Sequence, residues 1–388
     1  MKRVSTLICL LLLPLFTGCL GGVPLDKYCY VLDVGVERGD TLPYRFVFLL
    51  NEDTEEGEDG GGKGQVSMVS AEERSLFAAI DALSGALPAQ LSFERTTLLA
   101  FSRDLAEAGE IPTVTEGALT RLKIRRNVRV IVVESDMWAA FQGLVSEGDP
   151  SMSRLKANVT LFEENYGYVE DWGLSRMQEA FSNQTGDALL PYAGLAGGEL
   201  RPDMAGGEVY PYLGGGLLGE GQIRTSLSGS AVFAGERMAG LLSGQHTMLV
   251  LMGKGVFRAG HLSLPWGTKE VDLALYAVGQ PKRSWASGQF TCEITLEADL
   301  EDPVQMEVDS EELIAALESY LAEELCRVFE VTAQAGADMF EVGREAIRSF
   351  HSWEAWQAYG FAVRLKDVQA DFRVRVKLSH SPKDPALE

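Results

Sequence analysis

Gly214, Gly216 and Gly219 satisfy the spacing G-x-G-x-x-G. In that pattern a strand–turn–helix unit offers backbone N–H groups to a pyrophosphate. The flanks do not suit this chemistry. Pro211 and Tyr212 precede the glycines and Glu220-Gly221 follows inside a loop, so the strand and helix are missing and an acid would repel phosphate. Gly253-Lys254 resembles the end of a P-loop, but Gly255 stands where Ser or Thr must hold magnesium and Met248 where the opening Gly belongs. No G-x-S-x-G is present for an esterase-type nucleophile. His246, His261, His351 and His380 are far apart, and none is spaced with an acid or cysteine as a metal or triad site requires; core, turn or surface roles are expected. The acidic pairs Glu163-Glu164, Glu170-Asp171 and Glu311-Glu312 lack a calcium-loop pattern and read as solvated helix faces. Arg373, Arg375 and Lys377 read as the one cationic cluster, on the wet side of an antiparallel strand. Trp353 and Trp356 are candidate partner anchors, with core packing the expected role. No catalytic, cofactor-binding or metal-binding residue is therefore assigned.

One residue does carry chemistry. Met1-Lys2-Arg3 is a short positive segment, and Val4 to Phe16 is a nearly unbroken apolar run of thirteen residues. At about 1.5 Å each these cover about 20 Å of a hydrocarbon core of roughly 30 Å, so the run suits a signal peptide and not a spanning helix. Leu15-Phe16-Thr17-Gly18-Cys19 resembles a bacterial lipobox, with Phe16 where Leu is usual. Cys19 is thus the expected lipid anchor, and two or more acyl chains hold stably where one does not.

The remaining composition describes the body so anchored. The chain has 388 residues, 46% hydrophobic and 23% charged, which suits two or three folded domains and excludes a disordered chain. The formal net charge is -22, and removal of Lys2 and Arg3 makes the mature chain more acidic still. Such a chain is expected to be repelled by nucleic-acid phosphates and by anionic lipid headgroups, so membrane attachment is expected to come from something other than a basic patch. Cys29, Cys292 and Cys326 are scattered and read as buried thiols.

The elements alternate. Strands are expected at Tyr28–Val36 and Tyr44–Leu50, a loop at Asn51–Gln65, a helix at Glu72–Leu87, strands at Thr96–Phe101 and Val128–Val133, and a helix at Met137–Val145 capped by Ser135 or Asp136. Asp149–Phe181 reads as mostly helical. Ala193–Gln222, punctuated by Gly197-Gly198, Gly206-Gly207 and Gly214-Gly215-Gly216, reads as a linker or long loop. A hairpin follows at Ile223–Ala234 and Met238–Leu242, then strands at Val271–Val278 and Phe290–Ala298. A long helix starts at Asp309 with Leu313, Leu317, Leu321, Leu325, Val328 and Phe329 along one stripe, a shorter helix runs from Asp338 to Phe350, and Asp371–Leu378 alternates as a strand. The expected fold class is α+β: a mixed α/β multidomain lipoprotein with antiparallel and mixed sheets and a long helix in the C-terminal part. Its expected divisions are a signal peptide (1–18), an N-terminal mixed α/β domain (19–192), a Gly-rich linker or loop (193–222), a C-terminal α+β region divisible into two subdomains (223–381) and a tail (382–388).

These segments, in this order, resemble the Ger(x)C family, the C subunit of nutrient germinant receptors of endospore-forming bacteria. Gly18-Cys19 followed by Val31-Leu32-Asp33-Val34-Gly35-Val36 is similar to the family's lipobox and first strand. Ser75–Ile80, Leu87–Phe93 and Leu189-Leu190-Pro191 match further along, with Arg95 departing from the His of many members. The most specific stretch is Ser228-Gly229-Ser230-Ala231-Val232-Phe233 with Met238–Leu242, and Asp338–Gly343, Trp353, Val374 and Val376 complete the C-terminal signature. The resemblance implies three mixed α/β domains without catalytic residues or cofactors, anchored on the outer face of the spore inner membrane beside integral-membrane A and B subunits. The implied role is non-catalytic, in receptor assembly and signalling. The alternative is an extracytoplasmic solute-binding lipoprotein, which requires a deep polar pocket between domains.

Overall fold

The computed structural model describes residues 28–52, 65–87, 89–134, 136–145, 154–182, 185–195, 198–210, 225–266, 269–301 and 310–379. Cys19, the lipobox, Ser135, Asp309 and the G-x-G-x-x-G glycines lie outside them. The α+β class is borne out: two large sheets, one mixed and one largely antiparallel, are covered by helices.

The first sheet is built on β1 (Tyr28–Arg38), β2 (Tyr44–Glu52), β3 (Gln65–Glu73), β4 (Gln90–Ser92), β5 (Leu98–Ser102), β6 (Arg129–Val133), β7 (Leu189–Leu195), β10 (Thr225–Ala234) and β11 (Arg237–Leu242). A small separate pair, β8 (Arg201–Pro202) and β9 (Glu208–Val209), falls between β7 and β10 in the chain. The order is β11-β10-β7-β6-β5-β1-β2-β3, with β4 beside β1. β1, β5, β6 and β7 are parallel, and antiparallel strands extend the sheet on both sides. A parallel centre needs cover on both faces, so its strands are apolar throughout and do not alternate. Val130, Ile131, Val132 and Val133 are all buried accordingly. Even-numbered Val130 and Val132 join Phe46, Phe48 and Phe101 under helix α1 (Leu76–Ala86). Odd-numbered Ile131 and Val133 join Leu49 and Leu98 under helix α2 (Met137–Val145).

The sequence places Glu72 and Glu73 in a helix, but both end β3, and α1 begins only after Ser75, whose hydroxyl accepts from Ala78 N–H as an N-cap. Asp136 caps α2 as expected, accepting from Trp138 N–H and Ala139 N–H. The expected helical stretch to Phe181 is interrupted: α3 (Arg154–Asn165) and α4 (Leu174–Ser182) flank an irregular passage through Glu170.

The sequence also treats Ala193 as the start of a linker. Instead Ala193 is inside β7, paired with Val133 on one side and Leu227 on the other. Strands from both sides of the Gly-rich stretch therefore share one sheet. The β8–β9 turn, from the middle of that stretch, is pinned to the sheet by a bond from Met204 N–H to Leu241 C=O. Gly229 shows why the following hairpin needs a small residue. Its φ is +148° and an added Cβ would lie 2.2 Å from Leu242 O.

The second sheet contains β12 (Ala259–Trp266), β13 (Lys269–Ala277), β14 (Lys282–Ala286), β15 (Gln289–Leu300) and β16 (Gln369–Leu378). Helix α5 (Gly244–Lys254) and the 25-residue α6 (Ser310–Gln334) pack on it. α6 buries the stripe read from the sequence, Leu313 to Phe329. β16 alternates as read, but it runs parallel to β15 and not antiparallel to a neighbour. A connection through helix α7 (Trp353–Tyr359) and the turns around it brings the chain back to the same end of the sheet. No disulfide joins Cys29, Cys292 and Cys326, and burial pushes the Cys292 thiol up to about 12.

Candidate functional site: buried charges at the junction of the two sheets

Glu170 is the centre of the junction. It lies in the passage between α3 and α4, and its side chain is 1% exposed. Lys254, the last residue of α5, reaches it from the second half with Nζ 2.6 Å from Oε2, itself 2% exposed. Arg176 of α4 closes on the other oxygen at 2.5 Å and lies 4.0 Å over the Trp172 ring. Glu341, from the turn after α6, adds a second carboxylate 3.8 Å from Lys254. Burial opposes charge on Glu170, but Lys254 and Arg176 together outweigh it and hold the carboxyl below its usual range. The expectation of a solvated acidic pair is corrected here: Glu170 is an internal ion-pair partner, and Asp171 holds Arg129 at 2.6 Å. Glu164 and Glu311 keep the exposed positions expected of them.

A second tie lies beside it. Asp187, just before β7, accepts from Gly235 N–H at 2.8 Å and Asp338 N–H at 2.7 Å. Asp338 in turn accepts from Val342 N–H and Gly343 N–H, both at 2.7 Å, and so shapes the turn that carries Glu341 in the left-handed region at φ 51°. Burial drives the Asp338 carboxyl up to about 7, and the charges of Asp187 and Glu341 push the same way against its two N–H bonds. Burial raises Asp187 likewise. Between the ties is a cleft of about 150 Å³ lined by Trp172, Arg176, Asp187, Glu341 and Arg344. Trp172 Nε1 is buried there and has no hydrogen-bond partner among the described residues.

A third cluster brings together residues the sequence kept apart. His246 Nδ1 is 2.7 Å from Asp203 Oδ2 and 3.3 Å from Ser243 Oγ. A serine triad needs the acid and the nucleophile on opposite ring nitrogens. Here both sit on Nδ1, while Nε2 faces Glu324 at 3.5 Å and Arg327 at 3.3 Å. Ser243 is occupied as the N-cap of α5. The arrangement fastens the β8–β9 turn to α5 and α6. Burial disfavours charge on Asp203, yet the His246 bond and the Ser243 N–H keep its carboxyl below the usual range. Among the described residues no group of three His, Cys, Asp or Glu is placed to hold a metal ion.

Of the other sequence candidates, Arg373 is exposed and paired with Glu293 and Asp371, so the stripe on β16 is partly neutralised. Trp356 is 1% exposed against Phe350, Tyr359 and Phe361, whereas Trp353 is 47% exposed. The sequence reading missed one cluster. Arg121, Lys123, Arg125, Arg126 and Arg129 fall within nine residues that contain no acid. The signal was present but was masked by the strongly acidic total.

The polar groups of this two-sheet body thus converge on its own junctions, the class of an α+β protein whose halves are held in a fixed relation. Comparison with known families gives that class its place. The model "Spore germination protein N-terminal domain" matches residues 22–195, and "Spore germination B3/GerAC like, C-terminal" matches residues 228–381. The chain belongs to the spore germination B3/GerAC family, that of the germinant receptor C subunit, with a role in spore germination. The crystal structure of the GerBC protein has the same fold: TM-score 0.53 at 10% identity, over 89% of this chain and 96% of that one. A search of curated proteins returned no match.

Proposed function

We propose that the chain is the non-catalytic lipoprotein subunit of a nutrient germinant receptor, needed for receptor assembly and signalling. Acylation of Cys19 holds it on the extracytoplasmic face of the spore inner membrane beside the integral-membrane A and B subunits. The supporting observation is the match of both halves of the chain, in order, to the two domains of the family. No helix of the described residues is long and apolar enough to cross a membrane. Two-dimensional confinement by the lipid raises the effective concentration of the body near its partners. The expected N-terminal and C-terminal divisions are proposed as two functional segments joined by the pairing of β7 with β10, not separated by a linker that begins at Ala193.

Replacing Cys19 tests this reading. Cys19→Ala is expected to give a folded protein that leaves the membrane fraction and lowers nutrient-triggered germination or receptor level. A normal nutrient response from spores carrying only the released protein refutes it. The junction cleft favours a second reading, solute capture, because Arg176, Arg344, Asp187 and Glu341 offer both charges to a zwitterion. Its volume of about 150 Å³ falls below the 300 Å³ or more of typical ligand pockets, which makes this the weaker case. Thermal shifts with a panel of amino acids and sugars decide between the two.

A further inference from the structure

One end of the first sheet differs in charge from the rest of the molecule. β1, β5 and β6 are parallel and their N-termini point the same way, with Leu98 and Arg129 level with Asp33, and Tyr28 five residues beyond them towards that end. Tyr28 opens β1 there, Arg95 leads towards β5, and Arg125 and Arg126 lead towards β6. Arg95, Lys123, Arg125 and Arg126 are all exposed at this end, in a chain of net charge -22. Lys123 has Glu94 at 3.9 Å, and Arg95 stacks 3.9 Å over the Tyr30 ring. Among the described residues, Arg125 and Arg126 pair with no carboxylate. A cleft of about 290 Å³ opens between the strand ends, lined by Thr96, Arg125, Asn127 and Arg129. Asp171 neutralises Arg129 at 2.6 Å, which leaves Arg125 as the uncompensated cation on the rim.

The tether enters at this same end. Cys19 lies nine positions before Tyr28, a reach of about 30 Å when fully extended. A tether of that length restrains the body without orienting it, so the charge distribution decides which face meets the bilayer. An anionic surface acts over about one Debye length, roughly 10 Å, and repels an acidic body presented any other way. The geometry points to this basic strand-end surface as a docking site for anionic phospholipid headgroups, which sets the orientation of the anchored protein. This inference rests on acylation of Cys19. The turn between β1 and β2, at residues 39–42, then lies away from the bilayer at the other end of β1, one eleven-residue strand off.

A competing occupant is the acidic run Asp53, Glu55, Glu56, Glu58 and Asp59, which follows β2 at this end. The tether enters the sheet at this same end and holds these cations within reach of a bilayer, so lipid is the occupant favoured.

The test uses the full chain, acylated at Cys19, in vesicles of phosphatidylcholine alone or with about three parts in ten phosphatidylglycerol. A fluorophore is placed by Asn127→Cys at the basic end or by Thr41→Cys at the far turn, each with Cys326→Ser, and is quenched by a lipid-borne quencher. On phosphatidylglycerol vesicles, quenching at 127 is expected to exceed that at 41 by about threefold. The difference is expected to vanish on phosphatidylcholine, near 1 M salt, where the Debye length is about 3 Å, and in Arg125→Glu/Arg126→Glu. Equal quenching at both sites, or a difference that survives the double substitution, overturns the inference. So does a difference that emerges only after the acidic run is changed to amides, since that run then occupies the cations. Flotation and mass spectrometry of the same samples read the anchor separately. Acylated protein that floats without a preferred orientation defeats the docking surface alone; unacylated protein that does not float defeats the anchor as well.

Discussion

Replacing Lys254 by Met removes the cation that crosses from the second half of the molecule to Glu170. The pair is 2.6 Å apart with side chains 2% and 1% exposed, so water cannot replace the lost partner. Removing one member of such a pair costs about 3–5 kcal/mol, because a charge is left buried. Arg176 still holds Glu170 at 2.5 Å, which places Lys254→Met near the lower bound, about 3 kcal/mol. Glu170→Leu strands Lys254 with only Glu341, at 3.8 Å, and is expected to cost about 3–4 kcal/mol. The double variant buries neither charge and returns Arg176, which is 41% exposed, to water. Its cost is expected to fall below the sum of the singles by about 2–3 kcal/mol, within the range seen for groups that share a network. Urea unfolding followed by tryptophan fluorescence measures this, since Trp172 lies against the cluster. Additive single costs, or a Lys254→Met protein within about 0.5 kcal/mol of the parent, refute the view that these charges fasten the two halves together.

Asp338 gives stability a slope with pH. Its carboxyl titrates at about 7 in the fold and at 3.8 when free of it, so the folded state binds the proton more tightly and stability falls as pH rises through that window. At 1.36 kcal/mol per unit the fall has a ceiling of about 4 kcal/mol, and Asp338→Asn is expected to flatten it in urea midpoints taken between pH 4 and pH 8. Gly229→Ala combines an unfavourable φ with a 2.2 Å approach to Leu242 O; a loss of about 2 kcal/mol or more is expected in thermal melts. Trp356→Ala empties a buried site and is expected to cost about 3–5 kcal/mol, whereas Trp353→Ala, on the surface, is expected to stay within about 0.5 kcal/mol.

Much of the fold was legible wherever burial leaves a period in the sequence. β1, β2, β6, β13, β15, α1 and α6 lie close to their expected places because each shows a largely apolar run, a two-residue alternation or a helical stripe. α5 was not legible. Thr247 to Met252 are buried on every side, so no polar face marks the helix, and only Ser243 at its start and Gly255 at its end signal its limits. β12 and β14 were lost to polar residues on their exposed faces. The pairing of β7 with β10 was concealed because the glycines from Gly197 to Gly216 suggest a boundary, although the strands on either side of them share one sheet. The junction was hidden for a different reason. Glu170, Lys254 and Glu341 are distant in sequence, and a buried ion pair leaves no trace in composition. Cys19, in contrast, depends on linear context alone and could be read without any fold.

The pairing of β7 with β10 also bears on how the molecule is made. While the chain emerges from its N-terminus, β7 is finished roughly fifty residues before its partner hairpin is complete. At about 5–20 residues per second this leaves its hydrogen-bonding edge open for some 3–10 seconds. An edge in that state can accept the equivalent hairpin of a neighbouring molecule in place of its own. Crowding nascent copies at one patch of membrane would therefore favour strand-exchanged dimers, and a fragment ending near residue 195 would carry the same open edge permanently.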